Sequence, residues 1–247
     1  MSSRSNIFFV WSVPRSLSTA FERCFKDRPD FEIIHEPYAE CYHYGPTRKS
    51  DRYGELEEQS KFTQTEALGR FNVVNTANCL VKDLCFQAEP YVTDEQLAEW
   101  RNAVLLRHPY SVAKSLFNLK PDFNEQELGF SELQKVVNRL GYVPPVIEGN
   151  YFSQDPEPTL RRFCSAMGTS YMSGYTEWAN GAIRDWSAQE YEAHGKWHGN
   201  LHASTGIRPS APVPERSEIL GLGLSRDQTR SVDAALEIYS DISAYAL

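Results

Sequence analysis

Two rhythms organise the hydrophobic positions of this chain. Short, nearly unbroken apolar runs at residues 7–11, 31–35, 79–83, 103–107 and 145–149 predict strands, the first of them buried and parallel. Between them, apolar residues recur at three- and four-residue intervals and predict helices. One runs from about Ser18 through Phe21, Cys24 and Phe25; others cover 94–100, 110–119, 130–140 and 156–167. A closing helix at 226–245 sets Val232, Ala235, Leu236, Tyr239 and Ile242 on one face. Ser16, Ser18 and Thr19 are expected to cap the first helix and Asp94 the second. Pro156, after Asp155, opens a later helix where its missing N–H costs nothing. The polar stretch 45–60, with Pro46 and Gly54, predicts a loop or mobile lid, and 168–214 is irregular. Strands alternating with helices imply a three-layer α/β fold: a mainly parallel central sheet, helices on both faces, and ligands at the strands' carboxyl ends.

The first strand runs into Val13-Pro14-Arg15-Ser16-Leu17-Ser18-Thr19. A strand-to-helix turn of this kind aims backbone N–H groups and the positive end of the helix dipole at one spot, where anions bind. The chain lacks the G-x-x-x-x-G-K-[S/T] pattern of ATP- and GTP-binding loops, which argues against that chemistry. A second strand-to-helix turn, at residues 103–116, carries Arg107 and, eight positions later, Ser115.

These two segments resemble the phosphate-binding motifs of sulfotransferases that use 3′-phosphoadenosine 5′-phosphosulfate (PAPS). The resemblance implies the P-loop NTPase-like sulfotransferase fold, with PAPS as donor and 3′-phosphoadenosine 5′-phosphate (PAP) as product. It implies that Arg15, Ser16, Leu17, Ser18 and Thr19 form the 5′-phosphosulfate loop, and that Arg107 and Ser115 take the 3′-phosphate. A guanidinium fork with a helix-borne hydroxyl suits that doubly charged group better than a lysine. Together with His35-Glu36-Pro37-Tyr38, Val81-Lys82-Asp83 and Lys120-Pro121-Asp122-Phe123, the motifs resemble a group of small microbial sulfotransferase-like proteins. The likeness holds to about Tyr171 and returns at Trp197-His198 and Ala203-Ser204-Thr205-Gly206. His108 stands where that family often has Asp, and Leu17 where it usually has Gly.

Sulfuryl transfer is an in-line displacement, so the protein mainly positions groups and neutralises charge. Arg15 is the expected stabiliser of the leaving oxygens. Lys82 either approaches the bridging oxygen or is a surface or salt-bridging lysine. Glu36 leads as the general base because relatives place a base Glu before Pro; the K-T-H histidine of familiar cytosolic members is absent. His35 and Asp83 remain alternates, and His35 also reads as an imidazole bonded to backbone. Ser204, Thr205 and Arg208 occupy the place of a basic loop that reaches the 3′-phosphate, or form a simple turn. Tyr38, Tyr42, Tyr44, Trp178 and Trp186 line an acceptor pocket or pack the core. His194, His198 and His202 have zinc-like spacing, but Gly195 and Gly199 argue against the continuous helix that would align them, so no metal is expected.

At 247 residues and 41% hydrophobic, the chain suits one domain, 1–247. A net charge of −8 argues against a nucleic-acid partner and leaves a local basic pocket to hold any polyanion. No run is long enough to span a membrane, and five irregularly spaced cysteines suit reduced thiols, so a cytoplasmic protein with a small-molecule acceptor is expected. Self-association stays open. Two rivals stand beside the sulfotransferase reading: a P-loop-like phosphotransferase, and a catalytically silent nucleotide-binding protein.

Overall fold

The structure, a computed structural model, describes residues 6–50, 58–179 and 204–247. Trp186, His194, His198, His202 and the middle of the 45–60 loop lie outside them. Among the described residues, strands β1 (Asn6–Ser12), β2 (Phe31–His35), β3 (Asn78–Leu84), β4 (Arg101–Leu106) and β5 (Val146–Glu148) form one sheet in the order β2-β3-β1-β4-β5. Every neighbouring pair is parallel. The helices are α1 (Ser18–Lys26), α2 (Ala39–Tyr44), α3 (Gln64–Gly69), α4 (Cys85–Ala88), α5 (Asp94–Glu99) and α6 (Pro109–Phe117). They continue as α7 (Glu125–Leu128), α8 (Phe130–Leu140), α9 (Gly149–Gln154), α10 (Pro156–Ala166), α11 (Arg216–Leu220) and α12 (Arg226–Ser243).

Because successive side chains of a strand face opposite ways, each strand feeds two cores. Phe9, Trp11, Val81, Val104 and Leu106 join Val112, Leu133, Val136 and Val232 from α6, α8 and α12. Phe8, Val10, Leu80, Ala103 and Leu105 join Phe21, Phe25 and Phe163 from α1 and α10. The unbroken apolar runs exist because both faces are covered, giving the expected three layers. Phe21, fully buried with Phe152 and Phe163 edge-on at 5.5 and 5.0 Å, contributes about 2–3 kcal/mol by burial.

Several local expectations are corrected. Thr93, not Asp94, caps α5, through a reciprocal box with Gln96. The fifth strand stops at Glu148, and Gly149 already begins α9. The helices α2, α3, α4, α7 and α11 escape prediction because a helix of one or two turns shows no measurable period.

The strand order opens the sheet at one place. The chain leaves β1 toward β2 across the α1 face, whereas it leaves β4 toward β5 across the α6 and α8 face. Adjacent carboxyl ends whose connections diverge leave a crevice, and the β1 and β4 ends flank it.

Candidate functional site

The turn after β1 is held in a costly conformation. Arg15 and Leu17 have φ of +58° and +70°, and Glu36, after β2, has φ of +41°. Left-handed backbone costs a non-glycine residue about 1–2 kcal/mol, and among the described residues these three are the non-glycine cases. Ser16 does not cap α1: its buried hydroxyl donates to the Val13 carbonyl at 2.6 Å and closes the turn on itself. Leu17 occupies the N-cap position, and no side chain caps the helix, so the hydroxyl caps expected from Ser16, Ser18 and Thr19 are not formed. The first-turn N–H groups have no acceptor within the helix, and a helix start of this kind favours an anion. The turn is braced from outside by two glycines. A Cβ on Gly149 would lie 2.5 Å from the Ser16 carbonyl oxygen, and one on Gly129 would lie 2.7 Å from Pro14 Cδ.

The two motifs interlock in the crevice. Arg15 Nε donates to Ser115 Oγ at 3.0 Å, while Arg107 donates through Nε to Asn150 Oδ1 at 2.7 Å and through Nη1 to the Arg15 carbonyl at 3.2 Å. Ser115 therefore answers Arg15 rather than the Arg107 with which the spacing pairs it. Burial lowers the pKa of both guanidinium groups, and the charge of Arg107 lowers that of Arg15 further. Glu148 is a partial counter-charge to Arg107: burial raises its carboxyl, and the N–H groups of Tyr151, Asn150 and His108, with Arg107, pull it back. Two partly buried cations held side by side form a site that an anion would stabilise.

A second cluster lies beside the first. His35 and Lys82 are register partners on β2 and β3, and Val10 of β1 is the other neighbour of Lys82. Lys82 is fully buried, so it is not a surface lysine, and it donates from Nζ to Glu36 Oε1 at 2.5 Å. Its Nζ is also 3.9 Å from Glu22 Oε2, and that oxygen is 2.7 Å from His35 Nδ1. His35 Nε2 stands 3.8 Å from Glu36 Oε1. Asp83, one residue on, faces the opposite layer, where its carboxylate accepts the N–H groups of Tyr38 at 2.9 Å and Leu84 at 2.7 Å. Burial, then the Glu36 charge, raises its pKa, and it serves as a backbone brace.

Other expected residues make contacts of their own. Ser204 and Thr205 are tied to residue 178: the Ser204 carbonyl accepts from Trp178 Nε1 at 3.1 Å and the Thr205 carbonyl from Trp178 N at 3.0 Å. Arg208 is exposed. Tyr38, Tyr42 and Trp178 are buried in the cores, and Tyr38 stacks on Tyr91 at 6.0 Å. Among the described residues no group of three or more His, Cys, Asp or Glu side chains is arranged to hold a metal. Sequence reasoning missed Glu22, Asn150, Gly129 and Gly149. Asn150 was findable, since β5 abuts β4 and its carboxyl-end turn must reach the same crevice.

A parallel sheet with helices on both faces and two arginines following the carboxyl ends of adjacent strands defines a three-layer α/β protein with the P-loop NTPase-like fold. Residues 6–240 match the sulfotransferase domain profile, and the chain belongs to that family. It resembles the sulfotransferase domain from the curacin biosynthetic pathway with a TM-score of 0.56 at 15% identity, covering 97% of this chain and 98% of that one. A sulfotransferase from Alicyclobacillus acidocaldarius has a TM-score of 0.50 at 14% identity, covering 80% and 92%. Among curated proteins, the branched-chain-amino-acid aminotransferase-like protein 2 of Arabidopsis thaliana is 24% identical over 222 residues, 85% of this chain but 37% of that protein. Its paralogue, protein 1, is also 24% identical, with 38% of its length covered, so the chain spans under two-fifths of these relatives.

Proposed function

We propose that this protein moves a sulfuryl group from PAPS to a hydroxyl, or an amine, of a small-molecule acceptor by in-line displacement. The observation that carries the reading is the partly buried pair Arg15 and Arg107, locked together at the carboxyl ends of β1 and β4. A donor with phosphates at both ends of one ribose needs two such cations at a fixed separation. Arg15, the hydroxyls of Ser18 and Thr19 and the N–H groups of the turn, including those of Ser16 and Leu17, hold the 5′ side and take up the charge that develops on the leaving phosphate. Arg107 and Ser115 take the 3′-phosphate, with Ser204, Thr205 and Arg208 contributed from the later loop.

Glu36 acts as the base. Its side chain is 16% exposed, against 7% for His35 and none for Lys82 and Glu22, so it is the member of its cluster that an acceptor reaches. It takes the acceptor proton as the new S–O bond forms and the old S–O bond to phosphate breaks, its electron pair passing to the phosphate. Lys82 holds Glu36 in place through their ion pair, and can turn toward the bridging oxygen as the proton arrives. The reading is of one domain. Its five cysteines are free and buried, which suits a reducing, cytoplasmic setting. No described helix is long and apolar enough to cross a membrane.

Calorimetric titration of the full chain with PAP, AMP, ADP and ATP tests the donor. PAP is expected to bind tightly and alone, and Arg15→Ala or Arg107→Ala to abolish that binding. Preference for ATP would favour a phosphotransferase, and PAP binding without transfer to any acceptor a silent protein.

A further inference from the structure

We infer that Glu22 is a positioning residue for proton transfer: it fixes the ring of His35 so that Nε2 stands ready to receive the proton that Glu36 takes from the acceptor. The inference rests on the reading of Glu36 as base and extends it to a residue no motif includes.

The geometry is directional. An ionised carboxylate only accepts hydrogen bonds, so the 2.7 Å contact between Glu22 Oε2 and His35 Nδ1 sets the proton of the neutral ring on Nδ1. The lone pair is then on Nε2, which faces Glu36 Oε1 at 3.8 Å. That gap closes with a small side-chain rotation, as catalytic hydrogen bonds do when substrate arrives. The sheet explains why these groups meet. Leu80 and Phe31 feed the α1-side core, so by two-residue periodicity Lys82 and His35 also face α1, where Glu22 follows Phe21. Asp83, one step out of phase, is turned away to Tyr38 and Leu84.

Beyond the 3.9 Å approach of Lys82 Nζ to Oε2, the packing around Glu22 does not call for a carboxylate. Glu22 is fully buried, and its Oε1 makes no hydrogen bond. An orphaned carboxylate oxygen in a core is costly, and a glutamine or an apolar residue would fit a purely structural role better. What the charge does supply is a counter-ion for an imidazolium. In the step proposed, the acceptor O–H bond breaks and its proton passes to Glu36, then from Glu36 to His35 Nε2. The resulting cation rests between Glu22 and the restored Glu36 carboxylate, with Lys82 Nζ 3.9 Å from Glu22 and 2.5 Å from Glu36. Among the described residues, the charged groups around His35 include Glu22 from α1, Glu36 after β2 and Lys82 from β3, with Asp83 on the far side of β3.

The test uses the full chain with ¹⁵N-labelled histidine, the His35 signals being assigned by their loss in His35→Asn. In the wild type, at the alkaline end of the titration, His35 is expected as the Nδ1–H tautomer. Glu22→Gln keeps the shape and removes the charge. His35 should then bind its proton about tenfold more weakly, since an adjacent opposite charge stabilises the protonated ring by at least that factor. With PAPS and an accepted acceptor, kcat should fall roughly 10–100-fold with the KM for PAPS unchanged, as loss of part of general-base catalysis implies. The acid limb of the kcat profile should move to lower pH, because a cluster with one fewer negative charge takes up protons less readily. An Nε2–H tautomer in the wild type, which needs no variant to observe, overturns the inference. So does a folded Glu22→Gln whose His35 titration, kcat and acid limb match the wild type. Failure of the wild type to bind PAP or transfer a sulfuryl group would sink the sulfotransferase reading instead, and leaves the histidine measurement standing.

Discussion

Gly149→Ala puts one methyl group against the floor of the anion-binding turn. Its Cβ would sit 2.5 Å from the Ser16 carbonyl oxygen and 3.3 Å from that of Leu106, both backbone atoms. Reaching even 3.0 Å requires a backbone retreat of about half an ångström, and a flexible side chain cannot absorb it. Ser16 is itself closed onto Val13, and Val13 N–H is tied to the Leu105 carbonyl at 3.0 Å, so the strain passes into the turn. Overpacking of this kind costs about 1–3 kcal/mol, or roughly 4–8 °C of melting temperature for 2 kcal/mol in a domain of this size. The functional loss should be larger in proportion. Arg15 rides on the displaced turn, and misplacing a charged group by about an ångström can cost ~100-fold. Differential scanning calorimetry and PAP titration measure the two effects. Gly69→Ala, at a helical position with nothing within 4 Å, is the control and should leave both unchanged or slightly raise stability. A Gly149→Ala protein that melts and binds PAP like the wild type would refute the bracing argument.

Leu17→Gly should be more stable than Leu17→Ala by about 1 kcal/mol in chemical denaturation, because φ of +70° strains any side chain but not glycine; equal midpoints would count against strain there. Glu36→Gln should fold and bind PAP normally yet transfer at least ~100-fold more slowly, and wild-type turnover would move the base to His35. His108 accepts the Tyr110 N–H at Nδ1 with 3.2 Å, and burial lowers its pKa below the usual 6.5. The unfolded chain then binds this proton more readily, so the contribution is full above pH 6.5 and is lost as pH falls through the lowered folded value. Subtracting the stability profile of His108→Gln from that of the wild type should isolate this slope, and a difference independent of pH would refute it.

The parts of the fold that were legible are those whose signal is local. β1 and β4 contain uninterrupted apolar runs that lead into Arg15 and Arg107, so both the strands and the motifs at their carboxyl ends can be read from the amino-acid order. The family match over residues 6–240 agrees with the motif-based resemblance. Glu22 was hidden because a lone carboxylate beside Arg23 on a nine-residue helix looks like a solvent face until α1 packs against β2 and β3. The caps were misread for a related reason. Ser16, Ser18 and Thr19 all have capping chemistry, but the left-handed Leu17 decides which backbone position becomes the helix start. The bracing by Gly129 and Gly149 joins segments more than a hundred residues from the turn, and only the folded chain brings them into contact.

The bond from Arg15 to Ser115, with the one from Arg107 to the Arg15 carbonyl, makes the two ends of the crevice a single mechanical part. A ligand carrying one phosphate must disturb a bond that belongs equally to the vacant end, whereas a ligand carrying both replaces the whole set at once. On the proposed reading, discrimination against singly phosphorylated nucleotides should therefore exceed what one missing contact would cost, because the two arginine sites share one set of bonds. For the same reason the losses from truncating Arg15 and Ser115 should not add. Whichever is removed first has already released the other from its partner.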